Sequence, residues 1–179
     1  EIMPSLVGSE MCIRDSSGLM AVAKHPHAQE VLKGQLHTPA FRRVYLAVCD
    51  GGPQPPSGVV DAPLGPREGS LVEQMVRPDG KDARTRYETL SRSGGRSLVR
   101  LELDTGRTHQ IRVHLAYIGH PILGDTVYGA KKSVAGLTGQ CLHAVGLRFI
   151  HPRTGEPVEL TCPLPEEFVR MLEKLRRNA

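Results

Sequence analysis

Gly106–Gly129 reads GRTHQIRVHLAYIGHPILGDTVYG. The turn Thr105-Gly106 follows an alternating strand, and Thr108 is placed to cap a helix. Ile111, Leu115 and Ile118 then recur at i, i+4 and i+7, the apolar stripe of a short helix. Gly119 stops that helix and Pro121 prevents it from resuming. The stripe leaves His109 and Arg112, three residues apart, together on another face. A second turn follows at Gly124-Asp125, with Tyr128-Gly129 close behind. The stretch therefore delivers a guanidinium and an imidazole at the end of a strand.

Working outward, strand patterns dominate. Gly18–Lys24 reads as a short buried strand, and Pro26 opens a helix with Ala28, Val31, Leu32 and Leu36 on one face. Phe41–Val48 alternates as the next strand, and the Gly/Pro-rich run Asp50–Ser57 is a loop. Val59–Val60 and Leu71–Val76 are short strands around a turn at Pro63–Gly69. Thr85–Ser91 and Ser97–Leu103 form a hairpin across Ser93-Gly94-Gly95, and Val145–Ile150 and Pro157–Thr161 a second one across Pro152–Glu156. Lys131–Gln140 reads as a loop or an irregular helical turn. A final helix starts at Pro165, with Glu166 and Glu167 in its first turn and Arg176 and Arg177 in its last, as the helix dipole favours; Phe168, Leu172 and Leu175 form its core stripe. Many strands with irregularly placed helices predict an α+β fold with a mostly antiparallel sheet rather than a βαβ winding.

At 179 residues the chain has room for one domain with a core, and 39% of it is apolar. No apolar run approaches the roughly 20 residues of a membrane span. Cys12, Cys49, Cys141 and Cys162 are scattered without CxxC spacing, which suggests neither a zinc site nor a disulfide framework. A reducing, cytoplasmic setting is the expectation. The net charge of +4 is localised: Arg84 to Arg112 contains seven arginines against Glu88, Glu102 and Asp104, an excess equal to that of the whole chain. Clustered arginine suggests a polyanion, nucleic acid first, although a solvated strand face explains the charge equally well. There is no Walker loop, no GxGxxG opening a helix and no GxSxG elbow. His109 and His114 lie about 140° apart round a helix and do not face one metal.

Residues 1–15, EIMPSLVGSEMCIRD, show neither periodicity nor a clear element. They resemble translated sequencing adaptor, so the natural protein is expected to begin near Ser16 with its upstream part lost. The other reading is an irregular natural arm.

The whole stretch Gly106–Gly129 resembles the RluA-type pseudouridine synthases, in which it reads much like GRTHQIRVHLAxxGHPILGDxxYG. The resemblance continues in Ser17–Lys24 (TSGLLLVAK in the family), Arg43–Val48 (KxYLAxV), Ala83–Tyr87 (AxTxY), Leu142–Pro152 (LHAxxLxFxHP) and Cys162–Pro165 (APLP). It implies an α+β domain around a mixed, mostly antiparallel sheet with flanking helices. It also implies isomerisation of uridine to pseudouridine in ribosomal or transfer RNA, without metal or organic cofactor. On that reading, residues 16–179 are the C-terminal part of the catalytic domain, acting as a monomer.

The resemblance also assigns roles. The arginine of HQIR carries onto Arg112, expected to hold the family's catalytic aspartate, and the tyrosine of AxTxY onto Tyr87, expected to wall the target base. Such pairing suits the chemistry, because an arginine keeps a carboxylate ionised and oriented in a partly desolvated cleft. A flipped base likewise needs a surface to replace its lost stacking. Arg107, His109, Lys131 and Lys132 are candidates for phosphate contact. The departure lies upstream: the HRLDxxTSG aspartate falls on Ile13, and Asp15, two residues further on, is a displaced substitute. The alternative is accordingly an RNA-binding homologue that has lost catalysis.

Overall fold

The computed structural model describes residues 16–70, 72–130, 134 and 136–177. In chain order the elements are β1 (Ser17–Gly18), α1 (Pro26–Gln35), β2 (Arg42–Asp50), β3 (Ser57–Asp61), β4 (Leu64–Pro66) and β5 (Gln74–Val76). They continue with β6 (Arg84–Ser93), β7 (Arg96–Leu103), α2 (Gln110–Tyr117), β8 (Leu142–Ile150), β9 (Pro157–Thr161) and α3 (Glu166–Arg177). The fold is α+β. A seven-stranded sheet runs β1-β8-β2-β7-β6-β3, with β9 also on β8, and β4-β5 form a separate ribbon. Every pairing is antiparallel except β1 with β8.

Both expected hairpins are present. Gly94 and Gly95, at φ 55° and 72°, make the tight β6–β7 turn that residues with side chains disfavour. On β7 the expected alternation becomes burial of every second residue, Ser97, Val99, Leu101 and Leu103. That face meets Ile111 and Leu115 of α2 and Phe168 and Met171 of α3 in one core cluster. Each fully buried aliphatic side chain there stabilises the fold by about 1.5–3 kcal/mol, so the core fixes α2 against the sheet.

Three local expectations need correction. Gly18–Lys24 is not a buried strand: pairing ends at the Leu19 N–H to Ala144 bond, and Met20 and Val22 are 51% and 61% exposed. The reason is competition for one edge, because β9 occupies β8 from Gly146 onward and Cys162 N–H takes the Val145 carbonyl. Leu64–Pro66, expected within a turn, instead pairs with Gln74–Val76 as the β4-β5 ribbon. Thr108 does not cap α2. His109 stands at the N-cap in the left-handed region (φ 55°), and no side chain caps the helix.

Candidate active site

A cavity of about 540 Å³ opens where β1, β2, the β7–α2 loop and the first turns of α2 converge. Leu103, Ile111, Leu142 and Ala144 give it apolar surface, and Tyr45 of β2 adds an aromatic ring. Its basic lining consists of Arg43, Arg107, Arg112 and His109, with no Asp or Glu among the described residues that line it.

A buried polar network sets the geometry of the β7–α2 loop. Gln110 is 2% exposed, and its Oε1 accepts from Thr105 Oγ1 (2.8 Å) and the Arg107 N–H (2.9 Å). Its Nε2 donates to the Arg84 carbonyl and to Thr85 Oγ1, both at 3.0 Å. Thr85 in turn meets His114 Nδ1 at 2.8 Å, and His114 Nε2 donates to the Ala62 carbonyl at 2.9 Å. A carbonyl can only accept, so His114 carries its proton on Nε2, and Nδ1 accepts from the Thr85 hydroxyl. The loop is thus locked to β6 from beneath, and His109 is held in a conformation that non-glycine residues adopt sparingly.

Arg112 lies below the cavity, 4% exposed. Its Nε and Nη2 donate to Asp125 Oδ2 and Oδ1 at 2.8 and 2.9 Å. Asp125 Oδ1 also accepts the N–H groups of Val127 and Tyr128, each at 3.0 Å. Burial by itself would raise the Asp125 carboxyl. The Arg112 guanidinium and the two backbone donors outweigh it and hold the group below the usual carboxylate range. Arg112 stacks over the Tyr128 ring at 5.0 Å, and Tyr128 Oη sits 2.8 Å from His109 Nδ1 while accepting the Gln74 N–H at 2.8 Å. The β4-β5 ribbon therefore fixes Tyr128, and Tyr128 ties His109 to Arg112.

A nucleotide-sized, cation-lined cavity on this fold agrees with what the comparisons show. The family profile described as RNA pseudouridylate synthase matches residues 14–117. The chain belongs to that family. It is 42% identical to an RNA pseudouridine synthase of Chloroflexus aurantiacus over 179 residues, covering all of this chain and 56% of that one. It is 40% identical to ribosomal large subunit pseudouridine synthase D of Vibrio parahaemolyticus, covering 92% and 54% of the two chains. Among solved structures it is similar to human RNA pseudouridylate synthase domain containing 4, with a TM-score of 0.64, 30% identity, and 83% of this chain matched to 66% of that one. The chain spans about half the length of the curated relatives it matches.

For a pseudouridine synthase family member, the site agrees with the sequence only in part. Arg107, His109 and Arg112 all line one cavity, whereas the sequence spacing grouped only His109 with Arg112. Tyr87 does not line it. Its hydroxyl donates to the Pro55 carbonyl at 3.3 Å, and its ring packs partly against the core. Tyr45 lies in the same cross-strand row, Tyr45–Leu101–Tyr87, but two strands away, roughly 10 Å, and it is the tyrosine at the cavity. Tyr45 falls within Arg43–Val48, which the sequence marks only as a strand, so its place at the cavity was not legible there. Asp125 was legible only as a turn residue. Asp15, Lys131 and Lys132 lie outside the described residues.

The arginine surplus of the β6–β7 hairpin is mostly paired at the surface with nearby carboxylates. Arg84 and Arg86 pair with Asp104, Arg100 with Glu102 and Arg96 with Asp50. Along those strands the solvated-face explanation holds, and of the seven only Arg107 and Arg112 reach the cavity.

Proposed function

We propose that this chain is the catalytic-domain portion of an RNA pseudouridine synthase that isomerises uridines in ribosomal or transfer RNA, acting as a monomer in the cytoplasm without metal or organic cofactor. The observation that carries the reading is the cavity itself. It joins cationic groups to an aromatic and aliphatic wall at a volume within the range of small-ligand sites.

Conversion of uridine to pseudouridine breaks the N1–C1′ bond, makes a C5–C1′ bond and moves a proton from C5 to N1, so it is redox neutral. The chain's residues must therefore expose the nucleotide, orient it and hold a carboxylate beside it. Tyr45 supplies a surface for the unstacked base, and Arg107 and His109 supply cationic or hydrogen-bonding groups at the rim. Arg112 is the group to orient the carboxylate. Asp125 and Tyr128 already hold its Nε and Nη2 edge, which pre-orients the guanidinium before any second carboxylate arrives. Because Ile13 stands at the aspartate's position, residues 1–15 are read as foreign sequence and this chain as catalytically impaired. The rival is a homologue that binds RNA without modifying it.

The first test is binding of single-stranded, uridine-containing RNA at increasing salt. Each neutralised phosphate contributes about 0.7 to the slope of log affinity against log salt. Binding that does not weaken with salt would contradict the reading.

A further inference from the structure

Arg43 differs from its neighbours. Arg42 pairs with Glu102, Arg84 and Arg86 with Asp104, and Arg112 with Asp125. Among the described residues no carboxylate pairs with Arg43. Its Nη2 donates to the Thr105 carbonyl at 3.0 Å, its guanidinium lies 5.6 Å from the Phe41 ring centre, and its buried Nε has no partner. Yet it lines the cavity. Its Nη1 lies against Gly106, where a Cβ would sit only 2.5 Å from it. Glycine at 106 leaves that amine room to face the cavity, and φ there does not itself demand glycine.

We propose that Arg43 is the seat of a backbone phosphodiester of the bound RNA, beside the nucleotide that enters the cavity. The inference rests on the RNA reading above and adds which anion the cavity takes and on which residue. A partly buried cation without a counter-ion is costly, and an arriving anion recovers that cost through charge-assisted hydrogen bonds. Burial pulls the Arg43 pKa below the usual arginine value, opposed by the nearby Tyr45 phenol; an arginine nonetheless stays charged. The uracil base is neutral, so the anions an RNA brings are its phosphodiesters. Tyr45, one residue beyond Val44 on the same strand, would then meet the base while Arg43 holds the backbone, so β2 would read one nucleotide at two points.

The experiment measures affinity for a short uridine-containing RNA across a salt series. It compares the unaltered chain, Arg43→Gln, Arg43→Lys and Gly106→Ala, each with RNA bearing all its phosphates or one neutral methylphosphonate beside the uridine. Arg43→Gln should lose about tenfold or more at low salt and flatten the slope by about 0.7. Arg43→Lys should keep most of the slope. The neutral linkage should weaken the unaltered chain and leave Arg43→Gln unaffected. A folded Arg43→Gln with unchanged affinity and slope overturns the assignment. So does an equal loss on charged and neutral RNA, which marks a merely structural residue. Should Arg43→Gln fail to fold, Gly106→Ala decides: a neutral linkage that costs it as much as the unaltered chain overturns the assignment. Absence of any RNA binding by the unaltered chain overturns the functional reading as well, whereas binding that ignores Arg43 overturns this inference alone.

Discussion

Arg112 and Asp125 meet through two parallel hydrogen bonds, Nε to Oδ2 at 2.8 Å and Nη2 to Oδ1 at 2.9 Å, with side chains 5% and 0% exposed. The two-point contact expected for an upstream nucleophile is thus made, within the described residues, to a carboxylate 13 positions downstream. Removing one member of a buried pair strands the other. Asp125→Ala should therefore destabilise the fold by about 3–5 kcal/mol, a drop in melting temperature on the order of 10 °C for a chain of this size. Pairing it with Arg112→Met should recover part of the loss. Melting curves of the single variant, the double variant and the unaltered chain check this, and a neutral Asp125→Ala would show that the pair is not structural.

Arg112→Lys separates holding from charge. Lysine keeps the cation but cannot reproduce the planar fork to Asp125. The expected outcome is a folded, moderately destabilised protein that still binds RNA. In a version carrying the upstream aspartate, its turnover should fall by at least two orders of magnitude, because catalytic groups tolerate only about 1 Å of misplacement. Near-normal turnover would remove Arg112 from the site.

The two tyrosines make opposite predictions. Tyr45→Ala should weaken RNA binding by about 1–3 kcal/mol, the worth of one stacked base, and Tyr45→Phe should restore most of it. Tyr87→Ala should lower stability, through lost packing and the bond to Pro55, and leave affinity near the unaltered value. Titrations with a labelled oligonucleotide decide between them. A loss confined to the Tyr87 variant would return the base-facing role to β6.

Acid stability should follow the buried histidines. Burial, the largest influence, holds the His114 pKa below 6.5 even though the Ala62 carbonyl pulls it upward, and burial does the same to His143. In the unfolded chain both titrate near 6.5. As pH falls below that value the unfolded chain takes up protons that the folded one refuses, so stability is lost, by up to about 1.4 kcal/mol per pH unit for each group. It is fully present above that window. The lowered Asp125 carboxyl acts separately, losing its contribution as pH falls below about 3.9. Urea midpoints at pH 7.5, 6.5 and 5.5 should decline, and His114→Asn should flatten the decline. Midpoints that rise toward pH 5.5 would contradict the assignment.

Local periodicity made most of the fold legible. The β6–β7 hairpin, α2 and α3 follow from patterns within single segments, whose burial the sheet then satisfies. What escaped depends on competition or distance. The Gly18–Lys24 pattern is a good strand, but whether it pairs depends on β9 claiming the same edge of β8. Tyr45 and Tyr87 share one row of the sheet, and only the position of α2 decides which faces the cavity. Asp125 looked like a turn residue because its partner lies across a helix and a loop. Arg43 carried no signal, since an arginine's lack of a carboxylate is a property of the packed structure.

The central claim is that this scaffold isomerises uridine, and pseudouridine content measures it directly. Bulk RNA would be incubated with the unaltered chain and with a version in which residues 1–15 are replaced by upstream sequence that carries HRLD directly before the two residues preceding Ser16, the aspartate standing at position 13. The account predicts little product from the former, because Ile13 can neither attack nor accept a proton, and robust product from the latter. Abundant pseudouridine from the unaltered chain would show that a group already present, Asp15 first, serves as the catalytic carboxylate. No product from the replaced version, with RNA binding intact, would contradict the central claim and leave a protein that binds RNA without modifying it.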